Sequence, residues 1–147
     1  MKVGEFLQLS HQHLVTCIPD HALNDVAKLM YTNGIGALPV CELNDRMVGI
    51  VSERDLVRAF ARNDVTELQY LRARDVMTTR VVVCRPEDTM QHAQEIMREN
   101  KFRHLPVAVD GHVRGMLSLR DTLAKRLAEA EEEKNVLRDV VLASRGR

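Results

Sequence analysis

The sequence predicts an α+β fold made of two tandem copies of one β-α-β-β-α unit, with an extended C-terminal helix after them. The main observation is an internal repeat: Leu38–Val40 (Leu-Pro-Val) recurs 67 residues later as Leu105–Val107. Each copy then runs through a turn into the pattern Gly-x-x-Ser-x-Arg-Asp. A second observation is that apolar residues recur at helical spacing ahead of each Leu-Pro-Val segment. A copy of under about 70 residues buries little surface alone, so we expect the two to share one core.

Each copy is predicted to run in the order strand, helix, strand, turn, strand, helix. In the first copy a short strand at Leu14–Thr16 precedes a helix. Asp20 is expected to cap that helix, and Glu87 or Asp88 the matching helix of the second copy. Gly34 is expected to end the first helix, since glycine tolerates the left-handed conformation found there.

A hairpin follows in each copy. Its strands are Leu38–Cys41 and Met47–Val51 in the first, joined at Asn44-Asp45. In the second they are Leu105–Val109 and Val113–Leu117, joined at Asp110-Gly111, a sequence typical of tight hairpin turns. Each hairpin leads into a helix that begins near Asp55 or Asp121.

We place the first repeat at residues 1–68, the second at 69–127 and a C-terminal helical extension at 128–147. The last helical pattern has no Gly or Pro before Gly146. Its apolar stripe continues past the repeat through Leu123, Leu127, Leu137 and Val141, and such a stripe is rarely left uncovered. The sequence therefore predicts a homodimer, the commonest closed assembly.

Composition excludes several classes of protein. The net charge is zero, so no overall field attracts the chain to nucleic acid or to a membrane surface. No apolar run reaches the roughly 20 residues of a membrane span, and the first residues lack a signal-peptide core. Three cysteines without metal-ligand spacing predict a reducing, cytoplasmic location. Cys17 and Cys84 occupy equivalent positions and are expected to be small core residues.

The duplicated polar segments are the candidate site, with Ser52, Arg54 and Asp55 in the first copy. The second copy has Ser118, Arg120 and Asp121. A simple helix start explains Ser and Asp, but an arginine in the first turn opposes the helix dipole. An anion bound at the helix N-terminus would favour that arginine, and a neighbouring carboxylate suits two vicinal hydroxyls. The pattern therefore predicts a ribonucleotide site.

These features resemble tandem cystathionine-beta-synthase (CBS) domains, also called a Bateman module, over roughly residues 2–125. The resemblance depends on Asp75–Thr78, the two Leu-Pro-Val strands and the two Gly-x-x-Ser-x-Arg-Asp ends. Arg103–Val107 (Arg-His-Leu-Pro-Val) is similar to stand-alone bacterial members. The resemblance implies two copies packed with pseudo-twofold symmetry, two clefts between them and a homodimer.

The resemblance also implies a ligand: AMP, ADP or ATP first, with S-adenosylmethionine or NAD(H) as alternatives. The two motif aspartates would bind ribose, and the two serines with nearby basic groups would bind phosphate. Arg103 and His104 would add phosphate contacts that Gly36-Ala37 of the first copy lacks, which predicts unequal clefts. Thr16 and Val82 would lie near the adenine.

Other chemistry is weakly supported. His11 and His13 have no third ligand at metal spacing, so we predict no metal site. No catalytic set accompanies the phosphate pattern, and we predict a regulatory module rather than an enzyme. Such a module would act on an unidentified effector protein, with no nucleic acid or membrane as partner. A ligand-free dimerisation scaffold remains the alternative.

Overall fold

Two antiparallel hairpins surrounded by helices form the fold in this computed structural model, which describes residues 1–145. The helices are α1 (Val3–Ser10), α2 (Leu23–Asn33), α3 (Glu53–Arg62), α4 (Val65–Leu68), α5 (Ala73–Val76), α6 (Met90–Asn100) and α7 (Leu119–Arg145). The strands are β1 (Ala37–Cys41), β2 (Met47–Ser52), β3 (His104–Val109) and β4 (His112–Ser118). The predicted α+β class and the long C-terminal helix are confirmed. The last two residues of the predicted extension, 146 and 147, lie outside the described residues.

The two hairpins share one register. Leu38 pairs with Val51 in the first, as Leu105 pairs with Leu117 in the second. The register shifts directly after Val40 in β1 and at the equivalent place in β3. The turns differ by one residue, but both use left-handed backbone, with φ of 60° at Asn44 and 59° at Asp45, and 51° and 81° at residues 110 and 111.

The predicted strand at Leu14–Thr16 is wrong, because that segment pairs only through a single parallel bridge between Cys17 and Val40. Cys17 N–H donates to the Pro39 carbonyl at 3.0 Å. Extending this ladder toward Leu14 would next require an N–H from Pro39, which proline lacks. The second copy repeats the arrangement, with Cys84 N–H donating to the Pro106 carbonyl at 3.0 Å.

The first predicted helix cap is also wrong. α2 starts after Ala22, which provides no side-chain cap. The first amide of α2, that of Leu23, donates to the Leu71 carbonyl at 2.9 Å, so this amide does not require a capping side chain. Asp20 instead forms ion pairs with Arg72, at 3.8 Å, and with Arg74.

In the second copy the cap is Thr89, not Glu87 or Asp88. The Thr89 hydroxyl accepts a hydrogen bond from His92 N–H at 3.0 Å. Asp88 serves the preceding turn, where its carboxylate accepts from Arg85 N–H at 2.8 Å. At the other end of α2, Gly34 adopts φ of 62° and ends the helix as predicted.

The opening helices are exchanged between the two halves of the molecule. Val3 of α1 is fully buried in the core of the second copy, beside Cys84, Met90 and Met97. Conversely, Ala73 of α5 is buried in the core of the first copy, whose members include Cys17, Val26, Met30, Leu38, Val40 and Val51. The expected single shared core is therefore wrong: residues 1–145 contain two cores, and each is completed by a helix from the other half of the sequence.

Backbone hydrogen bonds fix this exchange with matched pairs. Val3 N–H donates to the Asp88 carbonyl at 2.8 Å, and Ala73 N–H donates to the His21 carbonyl at 2.9 Å. The repeated strand glycines belong to the same exchange. A Cβ at Gly49 would lie 2.6 Å from the Met77 sulfur, and one at Gly115 would lie 2.7 Å from a Leu7 methyl carbon. Both glycines therefore admit a side chain from the exchanged segment.

Candidate functional site

Ser52 and Asp55 form a complete capping box at the start of α3. Ser52 N–H donates to Asp55 Oδ2 at 2.8 Å, and Asp55 N–H donates to Ser52 Oγ at 3.4 Å. Asp55 is only 5% exposed. Its second oxygen, Oδ1, accepts from Arg58 at 3.2 Å and from the Thr78 hydroxyl at 3.5 Å. The same carboxylate thus starts a helix of the first copy and contacts Thr78, in the opening segment of the second copy.

Ser118 and Asp121 repeat the cap at the start of α7 with fewer contacts. Ser118 N–H donates to Asp121 Oδ2 at 3.2 Å, and Asp121 N–H donates to Ser118 Oγ at 3.0 Å. Asp121 is half-buried. The helix-start interpretation is therefore correct for both motifs. It leaves open a binding role for the carboxylate oxygens that do not cap.

A cavity of about 150 Å³, which we call the first cleft, lies against the start of α3. The first copy supplies Ser52, Arg54 and Asp55 to its walls. The second copy supplies the facing wall, with the sequence-predicted residues Val82, Arg103 and His104. The structure thus brings six of the ten predicted site residues together across the boundary between the repeats.

Four cationic side chains surround the first cleft: Arg54, Arg80, Lys101 and Arg103. All four are exposed, and within residues 1–145 none of them forms an ion pair. Glu53 and Asp55 are the acidic groups on the walls. Excess positive charge next to a helix N-terminus favours a bound anion.

Arg80 and Lys101 are cleft residues that were not predicted from the sequence. Lys101 occupies the left-handed position that ends α6, with φ of 57°, in the short turn before β3, which begins at His104. Arg80 follows Thr78, whose backbone bridges to Ile50 of β2. Their contribution depends on how a turn and a bridge place them, which no local sequence pattern indicates.

His104 lies between the two copies at the wall of the first cleft. A Cβ at Gly36 would lie 2.7 Å from the His104 ring carbon Cε1, so this approach requires glycine there. Burial lowers the pKa of His104 below its usual 6.5, and Arg103 adds to that effect, while Glu53 and Asp121 oppose it. The ring is therefore neutral at neutral pH in the unliganded protein.

A second cavity of about 390 Å³, the second cleft, lies at the start of α7. It contains the other motif, Ser118, Arg120 and Asp121, facing the segments Gln12–Val15 and Gly34–Ile35. Thr16, predicted to lie near an adenine, is not on the wall of either cleft, whereas its neighbour Val15 is. Arg120 is the one Lys or Arg among the described residues that line this cleft.

The cysteines behave as core residues. Cys17, Cys41 and Cys84 are all buried and free. Burial raises the pKa of Cys17 to about 11 and those of Cys41 and Cys84 to about 12, so all three stay protonated at neutral pH. The part of the chain that the structure describes contains no group of three His, Cys, Asp or Glu residues able to hold a metal ion.

Comparison with known proteins identifies the architecture. The family model of the CBS domain matches twice, at residues 3–62 and 73–127. The chain belongs to the CBS domain family. The two matches correspond to the two copies, and the gap between them contains α4.

Solved structures of other CBS proteins superpose over most of the chain. A CBS-domain-containing protein from Agrobacterium tumefaciens is 32% identical, with a TM-score of 0.78 over 86% of this chain and 99% of that one. CBSX2, a CBS-pair protein from Arabidopsis thaliana solved in complex with AMP, is 29% identical, with a TM-score of 0.72 over 88% of this chain and 98% of that one. These structures are similar to the CBS pair described here along almost their full length.

Curated relatives share the CBS pair but are longer. An inosine-5'-monophosphate dehydrogenase from Methanocaldococcus jannaschii is 32% identical over 114 residues, which is 77% of this chain and 22% of that enzyme. The chain spans between 22% and 65% of the length of the first four curated relatives. Among residues 1–145, no helix has the length and apolar character needed to cross a membrane.

Proposed function

We propose that this CBS pair is a regulatory module that binds an adenine nucleotide in the first cleft and passes the binding event to an effector protein as a homodimer. The observation that carries the proposal is the composition of that cleft. A helix N-terminus from one copy and the cations Arg80, Lys101 and Arg103 from the other converge on one cavity. AMP, ADP and ATP are the leading ligands, with S-adenosylmethionine and NAD(H) as alternatives.

Each part of a nucleotide has a matching wall. Phosphate would lie at the start of α3, near Arg54 and Arg103, where amides and guanidinium groups favour negative charge. The ribose hydroxyls would donate to Oδ1 of Asp55, in competition with Arg58 and Thr78. The adenine base would lie with a ring face toward Val82. The AMP complex of the similar CBSX2 supports this class of ligand.

Signalling would follow from the position of the cleft between the two copies. A ligand that contacts Arg54 of one copy and Arg103 of the other stabilises the arrangement in which both contacts are made. An effector that distinguishes this arrangement from a more open one would then respond to nucleotide. The proposed role is regulatory and without catalysis, and the AMP complex of the similar CBSX2 supports the ligand on which that role depends. A cytoplasmic location remains a prediction based on the three free thiols.

A ligand-free dimerisation scaffold is the second candidate, favoured by the hydrogen bonding of Asp55. Both of its oxygens are already engaged, by Ser52, Arg58 and Thr78. A carboxylate that only starts a helix would look the same. The two functions therefore differ in one measurable property, the affinity of the first cleft for nucleotide.

Calorimetry with AMP, ADP, ATP, S-adenosylmethionine and NAD(H) separates the two candidates. We expect micromolar affinity, about −8 kcal/mol, for at least one of them. Arg103→Ala should weaken that binding, whereas Arg98→Ala, an exposed arginine of α6 that does not line the first cleft, should not. Absence of heat for all five ligands would contradict nucleotide binding and leave the scaffold as the remaining candidate. Product analysis after incubation with the bound nucleotide tests for turnover.

A further inference from the structure

Among residues 1–145, the C-terminal part of α7 has no packing partner and extends away from the CBS pair. Thr122 is 3% exposed against the body of the protein, but every residue from 126 to 145 is exposed. α7 has 27 residues, so it is about 40 Å long. Single helices gain most of their stability by packing an apolar face. The exposed apolar face of this segment therefore indicates a packing partner on another molecule.

The exposed apolar residues Val136, Val140 and Leu142 lie off the stripe, and the apolar members of the stripe fit a heptad register. Its positions alternate in steps of four and three: Leu123, Leu127, Ala130, Lys134, Leu137, Val141 and Ser144. They occupy the d and a positions in turn, beginning with Leu123 at d. A 3.5-residue spacing over three heptads is the pattern of a coiled-coil seam. A lysine at one a position fixes register and strand number at a cost in stability.

Charges beside the stripe complement a second copy of the same helix. The g positions include Arg126 and Glu133, and the e positions include Glu131 and Arg138. In a parallel pair each g residue faces the e residue five positions later on the other helix. Arg126 then faces Glu131, and Glu133 faces Arg138, so both pairs join opposite charges. An antiparallel pair of the same seam keeps Glu131 against Arg138 but sets Glu133 against Val140.

We infer that residues 123–144 of α7 form a parallel two-stranded coiled coil with the same segment of a second copy. This inference specifies the homodimer of the proposed function, and it places both CBS pairs at the same end of the coil. Val136 and Leu142 fall at c and b positions, outside the seam. They serve as internal controls because they are as exposed as the seam residues.

Cysteine cross-linking of the full chain tests the orientation directly. In a parallel coil Ser144, a d residue, lies beside Ser144 of the second copy, so Ser144→Cys should form a covalent dimer on mild oxidation. The matched control is Ala143→Cys, which is next in sequence, equally exposed and off the seam. The three native cysteines should contribute little cross-linking because all of them are buried. Equal cross-linking of both variants, or none in Ser144→Cys, overturns the parallel coil.

Association measured by analytical ultracentrifugation tests the seam without any cysteine. Leu137→Glu places a charge at a d position and should raise the dimer dissociation constant by about tenfold or more. Leu142→Glu makes the same change at a b position and should leave it unchanged; Leu137 and Leu142 are 67% and 55% exposed. A similar effect of both substitutions would contradict the heptad assignment.

Charge reversal distinguishes the two helix orientations. Glu133→Arg sets like charges against Arg138 in the parallel coil and should weaken the dimer, and the added change Arg138→Glu should restore it. In an antiparallel coil the single change is neutral and the double change is harmful. If the protein is dimeric but gives the contradicting results in these tests, the homodimer is supported and the parallel coiled coil is wrong. Nucleotide affinity, measured by calorimetry on the same samples, judges the cleft separately.

Discussion

At the residue scale, Asp55 and Asp121 occupy the same position of the repeated motif but make different contacts. Asp55 is 5% exposed, and its side chain forms hydrogen bonds with three other residues. Asp121 is half-buried, and within residues 1–145 its side chain forms hydrogen bonds only inside its own helix cap. The sequence pattern is identical at both positions. Burial depends on the exchanged segment that carries Thr78, so the sequence could predict the motif but not its unequal environment.

Replacing each aspartate with alanine should lower the free energy of unfolding by different amounts. Asp55→Ala removes a helix cap and leaves buried donors without partners, at a cost of about 1–3 kcal/mol of unfolding free energy. Asp121→Ala removes one cap in a wetter site and should cost about 0.5–1 kcal/mol. Urea denaturation followed by circular dichroism measures both. Equal losses would mean that the contacts of Asp55 beyond the cap contribute nothing.

His104 should make anion binding depend on pH. Burial holds its pKa below 6.5 in the free protein, and a phosphate in the first cleft would favour the protonated ring. Binding then takes up a proton, so affinity should rise as pH falls from about 8 to 5, with most of the change below the usual histidine pKa of about 6.5. The neighbouring Glu53, Asp121 and Arg103 also contribute to the field at the ring.

The control for this pH dependence is His104→Gln, which keeps a polar side chain of similar size without a titrating ring. Calorimetry of AMP across the same pH range should give a flatter profile for the variant than for the native chain. If the two profiles coincide, the pH dependence arises from the nucleotide phosphate or from other groups, and His104 has no part in it.

At the element scale, the central feature is the exchange of α1 and α5 between the two copies. The exchange keeps the symmetry of the repeat, because Leu7 fits against Gly115 as Met77 fits against Gly49. Which core each segment joins is a long-range choice between two similar surfaces, and local periodicity carries no information about it. The predicted boundaries at residues 68 and 127 divide the sequence, but the two cores cross the first of them.

The exchange predicts that a change in α1 destabilises the second copy first. Val3→Ala removes buried surface from the core that contains Met97 and should cost about 1–3 kcal/mol. Leu9→Ala, on the same helix but 68% exposed, is the control and should cost little. Hydrogen exchange should report the loss of protection in α6 before α2. Equal loss in both helices would indicate that the two cores open as one unit.

At the scale of the whole molecule, pseudo-twofold symmetry is broken where it matters for ligands. The repeat, the paired motifs and the lack of a basic pair at Gly36-Ala37 predicted two unequal clefts. The structure adds a physical reason: Arg80 and Lys101 join Arg103 at the first cleft, while Arg120 stands alone at the second. The cavity volumes differ as well, about 150 Å³ against about 390 Å³.

The two clefts should therefore bind nucleotide with different affinity and different dependence on salt. Each added cation near a phosphate contributes a charge-assisted contact, so the first cleft should bind about tenfold or more tightly than the second at low ionic strength. That advantage should shrink as salt rises, because the cations are exposed and screened within about 10 Å at 0.1 M. Calorimetry of ATP at two salt concentrations, fitted to two sites, measures both the affinities and their dependence on salt.

Lys101→Ala should weaken only the tighter site and Arg120→Ala only the weaker one. Two sites of equal affinity, or a tighter site that responds to Arg120→Ala and not to Lys101→Ala, would show that the cations of the first cleft do not determine where the nucleotide binds.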